Sequence, residues 1–238
     1  HGTGRGYGGL ATQLRAVTLA TADGRLLRIS PTENAELWPA ARLGLGALGV
    51  LVDLTVQTVP TFVLAADEHP EPLDDVLDDW PNRSAQADHV EFYWFPHTRL
   101  ALTRNNTRLP ADAPRTPPGP VKKWLDDELL GNGLYAVLCR LGSAVPGTVP
   151  GINRLASRVA FTRQVADYSH RIFATERRVR FRELEYSVPL DAVGPVLREL
   201  DRVIEANGWR VSFPVEVRAT AADDVWLSTA FGRPSSYI

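Results

Sequence analysis

Glu216 and Arg218, in the stretch FPVEVRATAADD, are an acid and a base two positions apart. Side chains two apart on a β-strand project from the same face, so carboxylate and guanidinium would stand side by side while Val215 and Val217 point into the core. Apolar neighbours such as Phe213 suggest partial burial, which is costly unless the charges are paired or used. An ion pair on a solvated strand face is the alternative interpretation.

A glycine-rich stretch, HGTGRGYGGL at residues 1–10, is the second group. Glycine permits tight turns and close approach of a ligand to the backbone. A dinucleotide fingerprint should follow a strand and open a helix, whereas a strand-like run follows here, so a Rossmann site is disfavoured. Backbone N–H groups that bind a phosphate or a flavin are one interpretation, and a pair of surface turns is the other.

The remaining polar residues give weaker signals. Asp223 and Asp224 have no His or Cys at ligand spacing, so a cap or turn is favoured and we predict no metal site. Cys139, the only cysteine, excludes a disulfide framework and is interpreted as a small buried hydrophobe. Surface or satisfied core positions are predicted for His69, His89, His97 and His170.

Composition restricts the function class. The chain has 238 residues, 44% of them hydrophobic, and a formal net charge of −2, which argues against a nucleic-acid partner. Its longest apolar run, residues 43–52, is shorter than the roughly 18 to 20 residues that span a bilayer, so we expect no transmembrane segment. The single cysteine fits a reducing, cytoplasmic location, with membrane association as the alternative. The absence of methionine predicts an internal piece of a longer polypeptide.

Residues 1–60 read as short strands separated by turns. Alternating apolar residues on both sides of Asp23 and Gly24 predict a hairpin. A brief helical or irregular segment follows Pro31, with Thr32 as a possible cap, and a β-branched run predicts a strand from 50 to 59. The change to an acidic stretch near Pro60 predicts a domain boundary, which gives domains of residues 1–60 and 61–238.

Residues 61–238 carry helical and strand-like patterns in turn, which predicts an α+β fold with a mostly antiparallel sheet flanked by helices. Helices are predicted at 71–80, at 121–141 with an interruption, and at 190–208 with Gly208 as a C-cap candidate. Strands are predicted within 89–109, with a break at Pro96, at 179–189 and within 211–228.

Several blocks of the sequence together resemble the FAD-dependent sugar-lactone oxidases, namely the gulonolactone and arabinonolactone oxidases, and the related alditol oxidases. The blocks are HGTG with GGLATQL, TADG, AARLGLGALGVLVDLTVQTVP, EFYWFP, ALTRNNT, FRELEYSVP and FPVEVRATAADDVWLS. The resemblance covers essentially the whole chain. It implies that residues 1–60 are the second half of a split FAD-binding domain of the vanillyl-alcohol oxidase type, and that 61–238 are most of a substrate cap domain.

The resemblance also implies roles for particular residues. Glu216 and Arg218 match the acid and base above the flavin that hold the substrate's hydroxyls, and Thr3 matches a position whose hydroxyl faces the substrate pocket. The positions that match the cofactor-lining segments are His1, Gly2, Thr3, Gly4, Gly46, Gly49 and Val50. The family's upstream phosphate-binding block and its downstream lysine motif are absent from these residues.

The activity implied by the resemblance is oxidation of a sugar-1,4-lactone or polyol, with hydride transfer from a C–H of the alcohol to flavin N5. Arg218 would stabilise the developing alkoxide, and Glu216 would orient the hydroxyls and hold Arg218. Oxygen or a carrier such as a cytochrome would accept the electrons. A non-catalytic carbohydrate- or flavin-binding remnant of the fold is the alternative.

Overall fold

The computed structural model describes residues 2–119, 121, 133–158, 162–174 and 178–238. Within these residues the chain forms two antiparallel sheets, one of three strands and one of seven, with short helices around them. This arrangement confirms the predicted α+β class with mostly antiparallel strands.

The three-stranded sheet contains β1 (Leu14–Ala20), β2 (Leu26–Ile29) and β3 (Val50–Val56), in the order β2-β1-β3. Antiparallel pairing of β1 with β2 confirms the predicted hairpin. Its turn contains Gly24 at φ +81°, a conformation that glycine adopts without steric cost. The third strand ends at Val56 rather than at residue 59.

The predicted helical segment after Pro31 is present as a 3-10 turn at Ala35–Leu37 and helix α1 (Trp38–Ala41). Thr32 does not cap it. The N-cap position is occupied by Asn34, at φ +50° and without a side-chain capping hydrogen bond, while the Thr32 N–H donates to Ser30 Oγ in the preceding turn.

The seven-stranded sheet is antiparallel throughout and has the order β7-β4-β6-β5-β9-β10-β8. Its strands are β4 (Val63–Pro72), β5 (His89–Trp94), β6 (Leu100–Leu109), β7 (Arg163–Tyr168), β8 (Ser187–Pro189), β9 (Val215–Thr220) and β10 (Ser235–Tyr237). The helices after α1 are α2 (Leu73–Asp78), α3 (Trp80–Arg83), α4 (Tyr135–Ala144), α5 (Val149–Arg158), α6 (Ser169–Phe173) and α7 (Val193–Ala206).

One face of this sheet carries the main apolar core. Phe92 and Trp94 of β5 and Val217 of β9 are fully buried and belong to one cluster with Trp80 of α3 and Leu197 of α7. Since successive strand residues point to opposite faces, burial of these positions places the residues between them on the other face.

Two strand predictions extend beyond the strands that form, and two strands of the large sheet were not predicted. Of the strand predicted at 179–189, only β8 at its end is formed, because its neighbour β10 has just three residues with which to pair. Within 211–228 only β9 is a strand. The patterning did not predict β4 and β7, whereas the predicted helices at 71–80 and 190–208 are confirmed as α2 with the start of α3, and as α7.

Residues 57–62 separate the two sheets, and the domain boundary near Pro60 stays a prediction. Of the predicted interrupted helix, α4 is present, and residues 122–132 lie outside the described residues. Among the residues that the structure describes, no helix combines the length and the apolar character that crossing a membrane requires.

Strand β3 presents exposed apolar side chains along its length. Val50, Leu51, Val52, Leu54 and Val56 are 69%, 52%, 58%, 47% and 43% exposed. The strand lies at the edge of its sheet, where β1 is its only partner among the described residues. A solvent-exposed apolar patch of this kind favours association.

We therefore expect the 238-residue chain, expressed by itself, to bind a hydrophobic dye and to self-associate. Exchange of Val50 and Val52 for Thr keeps the β-branched shape while replacing apolar methyl groups by hydroxyls, so dye fluorescence and apparent mass should both fall. Leu155→Gln, which changes an apolar residue that is 60% exposed on α5, is the control. Equal dye binding by all three proteins would contradict the assignment to β3.

Candidate active site

The N-terminal glycine-rich segment is bound along the end of β9. The Gly4 N–H donates to the Ala219 carbonyl oxygen at 2.7 Å, and the Ala221 N–H donates to the Tyr7 carbonyl oxygen at 2.8 Å. Gly4 also forms an isolated parallel bridge with Thr220. The segment is therefore held by backbone hydrogen bonds to the strand that carries Glu216 and Arg218.

Gly4 is the residue that permits this close approach. Its φ is +137°, a conformation that residues with a Cβ rarely adopt. A Cβ on Gly4 would lie 2.5 Å from the Asp88 carbonyl oxygen and 2.7 Å from Tyr7 Cδ2. Internal packing therefore requires glycine at this position.

Thr3 joins the same segment to β5. Its hydroxyl donates to the Val90 carbonyl oxygen at 2.8 Å, and its own carbonyl oxygen lies 2.5 Å from His89 Nδ1. Because the single hydroxyl proton is engaged, Thr3 can only accept a hydrogen bond from a ligand in this arrangement. Its contact with substrate stays a prediction.

His89 is buried, and its hydrogen bonds define its tautomer. Arg108 Nε donates to His89 Nε2 at 2.9 Å, so Nε2 accepts and the proton resides on Nδ1, where it is donated to Thr3. The ring of Tyr7 stacks on the imidazole at 5.0 Å, and Phe173 contacts it edge-on. Burial lowers the pKa of His89, which keeps it neutral. This agrees with the predicted satisfied core position.

Asp88, the neighbour of His89, contacts the same two residues, Arg108 and Tyr7. Its carboxylate accepts hydrogen bonds from the Arg108 backbone N–H at 2.7 Å and from the Tyr7 hydroxyl at 3.0 Å. The Arg108 N–H is the main cause of the lowered pKa of Asp88. The carboxylate therefore stays ionised while the neighbouring imidazole stays neutral.

Gly46, Gly49 and Val50 lie in and beside the three-stranded sheet. Gly46 has φ +79° and no heavy atom within 4 Å of the position that a Cβ would take. Gly49 has φ +138°, and its Cβ position is blocked by the carbonyl oxygen of Ala20. Gly49 is thus required by packing within the sheet, whereas the backbone at Gly46 is open to a ligand.

Glu216 and Arg218 project from the same face of β9, as predicted. Arg218 Nη2 lies 3.0 Å from Glu216 Oε2, and the Tyr93 hydroxyl donates to Glu216 Oε1 at 2.7 Å. The Arg218 side chain is 29% exposed and the Glu216 side chain 24% exposed, so the pair is partly buried but still accessible to solvent. Arg218 Nη2 is also 4.0 Å from Glu185.

A row of five charged residues crosses the sheet at this level, and we call it the charge row. Each member stands directly opposite the next on neighbouring strands, and the signs alternate. From β7 to β9 the members are Arg163, Glu68, Arg104, Glu91 and Arg218. Opposite charges on directly facing residues stabilise strand pairing.

The middle of the charge row is well shielded from water. Arg104 Nη1 donates to Glu91 Oε1 at 2.7 Å, and Arg104 Nε is 3.2 Å from Glu68 Oε1. Burial works against the charged form of Arg104, but the two carboxylates outweigh it and raise its pKa. Burial raises the pKa of Glu91 and that of the Tyr93 phenol. Tyr93 therefore remains a neutral hydrogen-bond donor.

The glycine segment and the charge row meet on the same two strands. Thr3 is bonded to Val90, next to Glu91, and Gly4 is bonded to Ala219, next to Arg218. A cradle of backbone, hydroxyl, carboxylate and guanidinium is the kind of surface that binds a polyhydroxylated molecule.

Comparison with known proteins identifies the family. The model of the D-arabinono-1,4-lactone oxidase family matches residues 54–238. The chain belongs to this family. It is 35% identical over 240 residues to the L-gulono-1,4-lactone dehydrogenase of Mycobacterium tuberculosis and 36% identical over 241 residues to the L-gulonolactone oxidase of Bos taurus. In both matches all of this chain is aligned with 54% of the relative, so the chain spans about half the length of these relatives.

A solved structure shares the fold of this lactone oxidase family member. A cholesterol oxidase from Brevibacterium sterolicum aligns over the whole chain and 52% of its own length, with a TM-score of 0.70 and 16% identity. At this identity the similarity concerns the fold alone. The predicted resemblance to sugar-lactone oxidases is confirmed.

The structure brings several predicted site residues together and separates others. Thr3, Gly4, Glu216 and Arg218 lie on or against β5 and β9. By contrast, the positions assigned to the three-stranded sheet, Gly46, Gly49 and Val50, have no described contact with that group. His1 lies outside the described residues. The cofactor and substrate roles of all these residues stay predictions.

Sequence reasoning missed Tyr93, Glu91 and Arg104. Glu91 and Tyr93 are two apart on β5, the same spacing that marked Glu216 and Arg218, so that signal was present. No signal within β6 alone distinguished Arg104, since its importance depends on which strands flank it.

The two aspartates and the cysteine have local roles. Asp223 accepts from the Val225 N–H at 3.0 Å and the Ser228 hydroxyl at 2.5 Å, which agrees with the predicted turn. Asp224 forms an ion pair with Arg42, 2.9 Å away, and so joins this turn to α1. Cys139 is half-buried on α4, where burial raises the pKa of its thiol.

Gly4→Ala should destabilise the attachment of the glycine-rich segment. The added Cβ meets the Asp88 carbonyl, and the φ value is strained, so we expect a loss of more than about 2 kcal/mol in the free energy of unfolding. Gly6→Ala is the matched control because nothing lies within 4 Å of its Cβ position. Urea unfolding measures both, and similar values for the two variants would disprove the packing requirement at Gly4.

His89 should make folding stability depend on pH. The unfolded chain has an ordinary imidazole pKa of about 6.5 and binds the proton first as the pH falls. Because the folded pKa is lowered, the stability is fully present above about pH 6.5 and is lost as the pH falls toward the folded pKa, by up to about 1.4 kcal/mol per pH unit. His89→Asn keeps a donor near Thr3 and cannot titrate. Unfolding curves from pH 7.5 to 5 should show a smaller loss in this variant, and identical losses would contradict the prediction.

Proposed function

We propose that this chain forms the cap sheet and part of the cofactor domain of an FAD-dependent oxidoreductase that oxidises a CH–OH group of a sugar-1,4-lactone or polyol. The observation that carries the proposal is the Glu216–Arg218 pair. It is half-buried on the sheet face opposite the core and lies beside the attached glycine-rich segment. The names of the relatives, an L-gulonolactone oxidase and an L-gulono-1,4-lactone dehydrogenase, support the substrate class.

Arg218 has hydrogen-bonding capacity to spare. Nη2 makes both of its carboxylate contacts, and among the described residues its Nε and Nη1 have no hydrogen-bond partner. A guanidinium presents five N–H donors in a fixed plane, so the free edge can donate to a substrate oxygen. As the alcohol loses its proton, the positive charge stabilises the negative charge that develops on that oxygen.

Glu216 is suited to orienting hydroxyl groups. Tyr93 and Arg218 each occupy one of its carboxylate oxygens, which fixes the side chain, and each oxygen retains a lone pair that can accept from a substrate hydroxyl. Neighbouring hydroxyls of one sugar would thus be held by Glu216 while another oxygen contacts Arg218. Such positioning lowers the entropy cost of reaching the reactive geometry.

Of the residues assigned to the cofactor, Gly46 leaves room for a planar ring to lie against its backbone. The space beside Gly46 is open, and β3 offers exposed apolar side chains next to it. His1, Gly2, Thr3, Gly4, Gly46, Gly49 and Val50 would line the FAD, with Gly49 acting through the shape of its turn. A flavin bound there would supply the acceptor for the hydride of the alcohol carbon.

The decisive test is flavin reduction by the full-length protein. Arg218→Ala removes the cation where negative charge develops, so anaerobic stopped-flow reduction by L-gulono-1,4-lactone or D-arabinono-1,4-lactone should slow by on the order of a hundredfold or more. Glu216→Gln keeps the shape and removes the charge, and it should slow the reaction less. Flavin content is measured first.

Arg202→Ala is the matched control for this experiment. Arg202 also pairs with a carboxylate, that of Glu199, but the two side chains are 66% and 58% exposed on α7. Its loss should leave the rate unchanged. An Arg218→Ala protein that retains its FAD and is reduced at the parental rate would favour the non-catalytic alternative.

A further inference from the structure

Glu91 stands between two arginines of the charge row. In register it faces Arg104 on β6 and Arg218 on β9. Directly opposed residues in an antiparallel pair have Cβ atoms roughly 4.5 to 5.5 Å apart, so a long carboxylate side chain can reach either neighbour. The two arginines therefore compete for one carboxylate.

The competition is resolved in favour of Arg104. Arg104 Nη1 donates to Glu91 Oε1 at 2.7 Å, whereas among the described residues Arg218 makes its carboxylate contacts with Glu216 and Glu185. Glu91 is 7% exposed, and an ionised carboxylate this well buried must have a positive partner. Arg104 supplies that positive charge from β6, which pairs with the edge of β5 opposite to β9 and Arg218.

Arg104 also contacts the residue that fixes Glu216. Its Nη1 is 3.4 Å from the Tyr93 hydroxyl oxygen, and the Tyr93 hydroxyl donates to Glu216 at 2.7 Å. The guanidinium carbon lies 5.8 Å from the centre of the Tyr93 ring. One buried guanidinium thus supports both the carboxylate that could capture Arg218 and the phenol that orients Glu216.

We propose that Arg104 is a positioning residue for substrate binding, which holds Glu91 away from Arg218 and so leaves the Arg218 guanidinium free for the substrate. The inference rests on the function proposed above, because it assigns Arg218 to the substrate. Arg104 acts through its neighbours and is not placed against the reacting atoms.

Removal of the Arg104 charge should redirect Glu91. Its nearest remaining cation in the charge row is Arg218, and a new Glu91–Arg218 pair would occupy the guanidinium edge that the substrate needs. Protonation of Glu91 would release Arg218 again. Burial already raises the pKa of Glu91, and loss of Arg104 would raise it further.

The charged and titratable groups around Glu91 come from four strands. They are Glu68 on β4, Tyr93 on β5, Arg104 on β6, and Glu216 and Arg218 on β9. Tyr93 and the arginines keep their protonation state between pH 5.5 and 7.5, because burial raises the Tyr93 pKa and guanidinium groups stay charged.

The experiment measures binding of L-gulono-1,4-lactone to the oxidised full-length protein by calorimetry, together with the rate of flavin reduction. At pH 7.5 Arg104→Gln should bind the lactone about tenfold more weakly or worse, since a charge-assisted contact of Arg218 is lost. At pH 5.5 the deficit relative to the parent should shrink. The double variant Glu91→Gln/Arg104→Gln should recover binding at pH 7.5, because the competing carboxylate is gone.

Arg163→Gln is the matched control. It removes a guanidinium from the far end of the same row, where Arg163 lies 4.0 Å from Glu68 and is 32% exposed, so binding should be unchanged. Should Arg104→Gln fail to fold, the double variant decides alone, since it buries no unpaired Glu91 carboxylate.

Two results would overturn the inference. One is parental binding by Arg104→Gln, and the other is a loss that neither the double variant nor low pH reduces, as a purely structural role for Arg104 would give. Arg218→Ala separates this failure from that of the proposed function. If Arg218→Ala binds and is reduced like the parent, the assignment of Arg218 to substrate fails, whatever Arg104 does.

Discussion

Arg104 is the buried charge on which the polar face of the large sheet depends. It lies between Glu68 and Glu91, and its side chain is 17% exposed. Each carboxylate would be costly in this position without it, because an ion withdrawn from water must be paired and hydrogen-bonded. The alternation of signs continues along the charge row to Arg218. The pairing of Arg104 with Glu91 at the centre of the row therefore bears on whether the Arg218 guanidinium at its end is available.

This alternation is possible only in one strand register. A shift of one residue would turn the charges toward the core and the apolar residues toward the polar face. The register is fixed from the other side of the sheet, where Phe92, Trp94 and Val217 pack under α2, α3 and α7. The apolar core therefore positions Glu216 and Arg218, although its own residues lie on the opposite face of the sheet.

Features that are local in sequence were predictable. The period of two placed Glu216 and Arg218 on one face, and the hairpin at Gly24 and the helix α7 follow from short-range patterns. The partners of Glu216 were not predictable in this way, because Tyr93 is 123 residues away and is brought close only by the pairing of β5 with β9. The predicted strand at 179–189 failed for a related reason, since a strand extends only as far as its neighbour does.

The glycines show that one residue type serves two physical purposes. At Gly4 and Gly49 the missing Cβ makes room for the protein's own carbonyl oxygens, those of Asp88 and Ala20. At Gly46 the corresponding space is open, so there the backbone itself leaves room for a ligand. Composition alone cannot separate these cases. Gly4 nonetheless contributes to the site, because its tight packing against β5 and β9 sets Thr3 beside the strands that carry Glu91 and Arg218, and a residue with a Cβ would push that segment away.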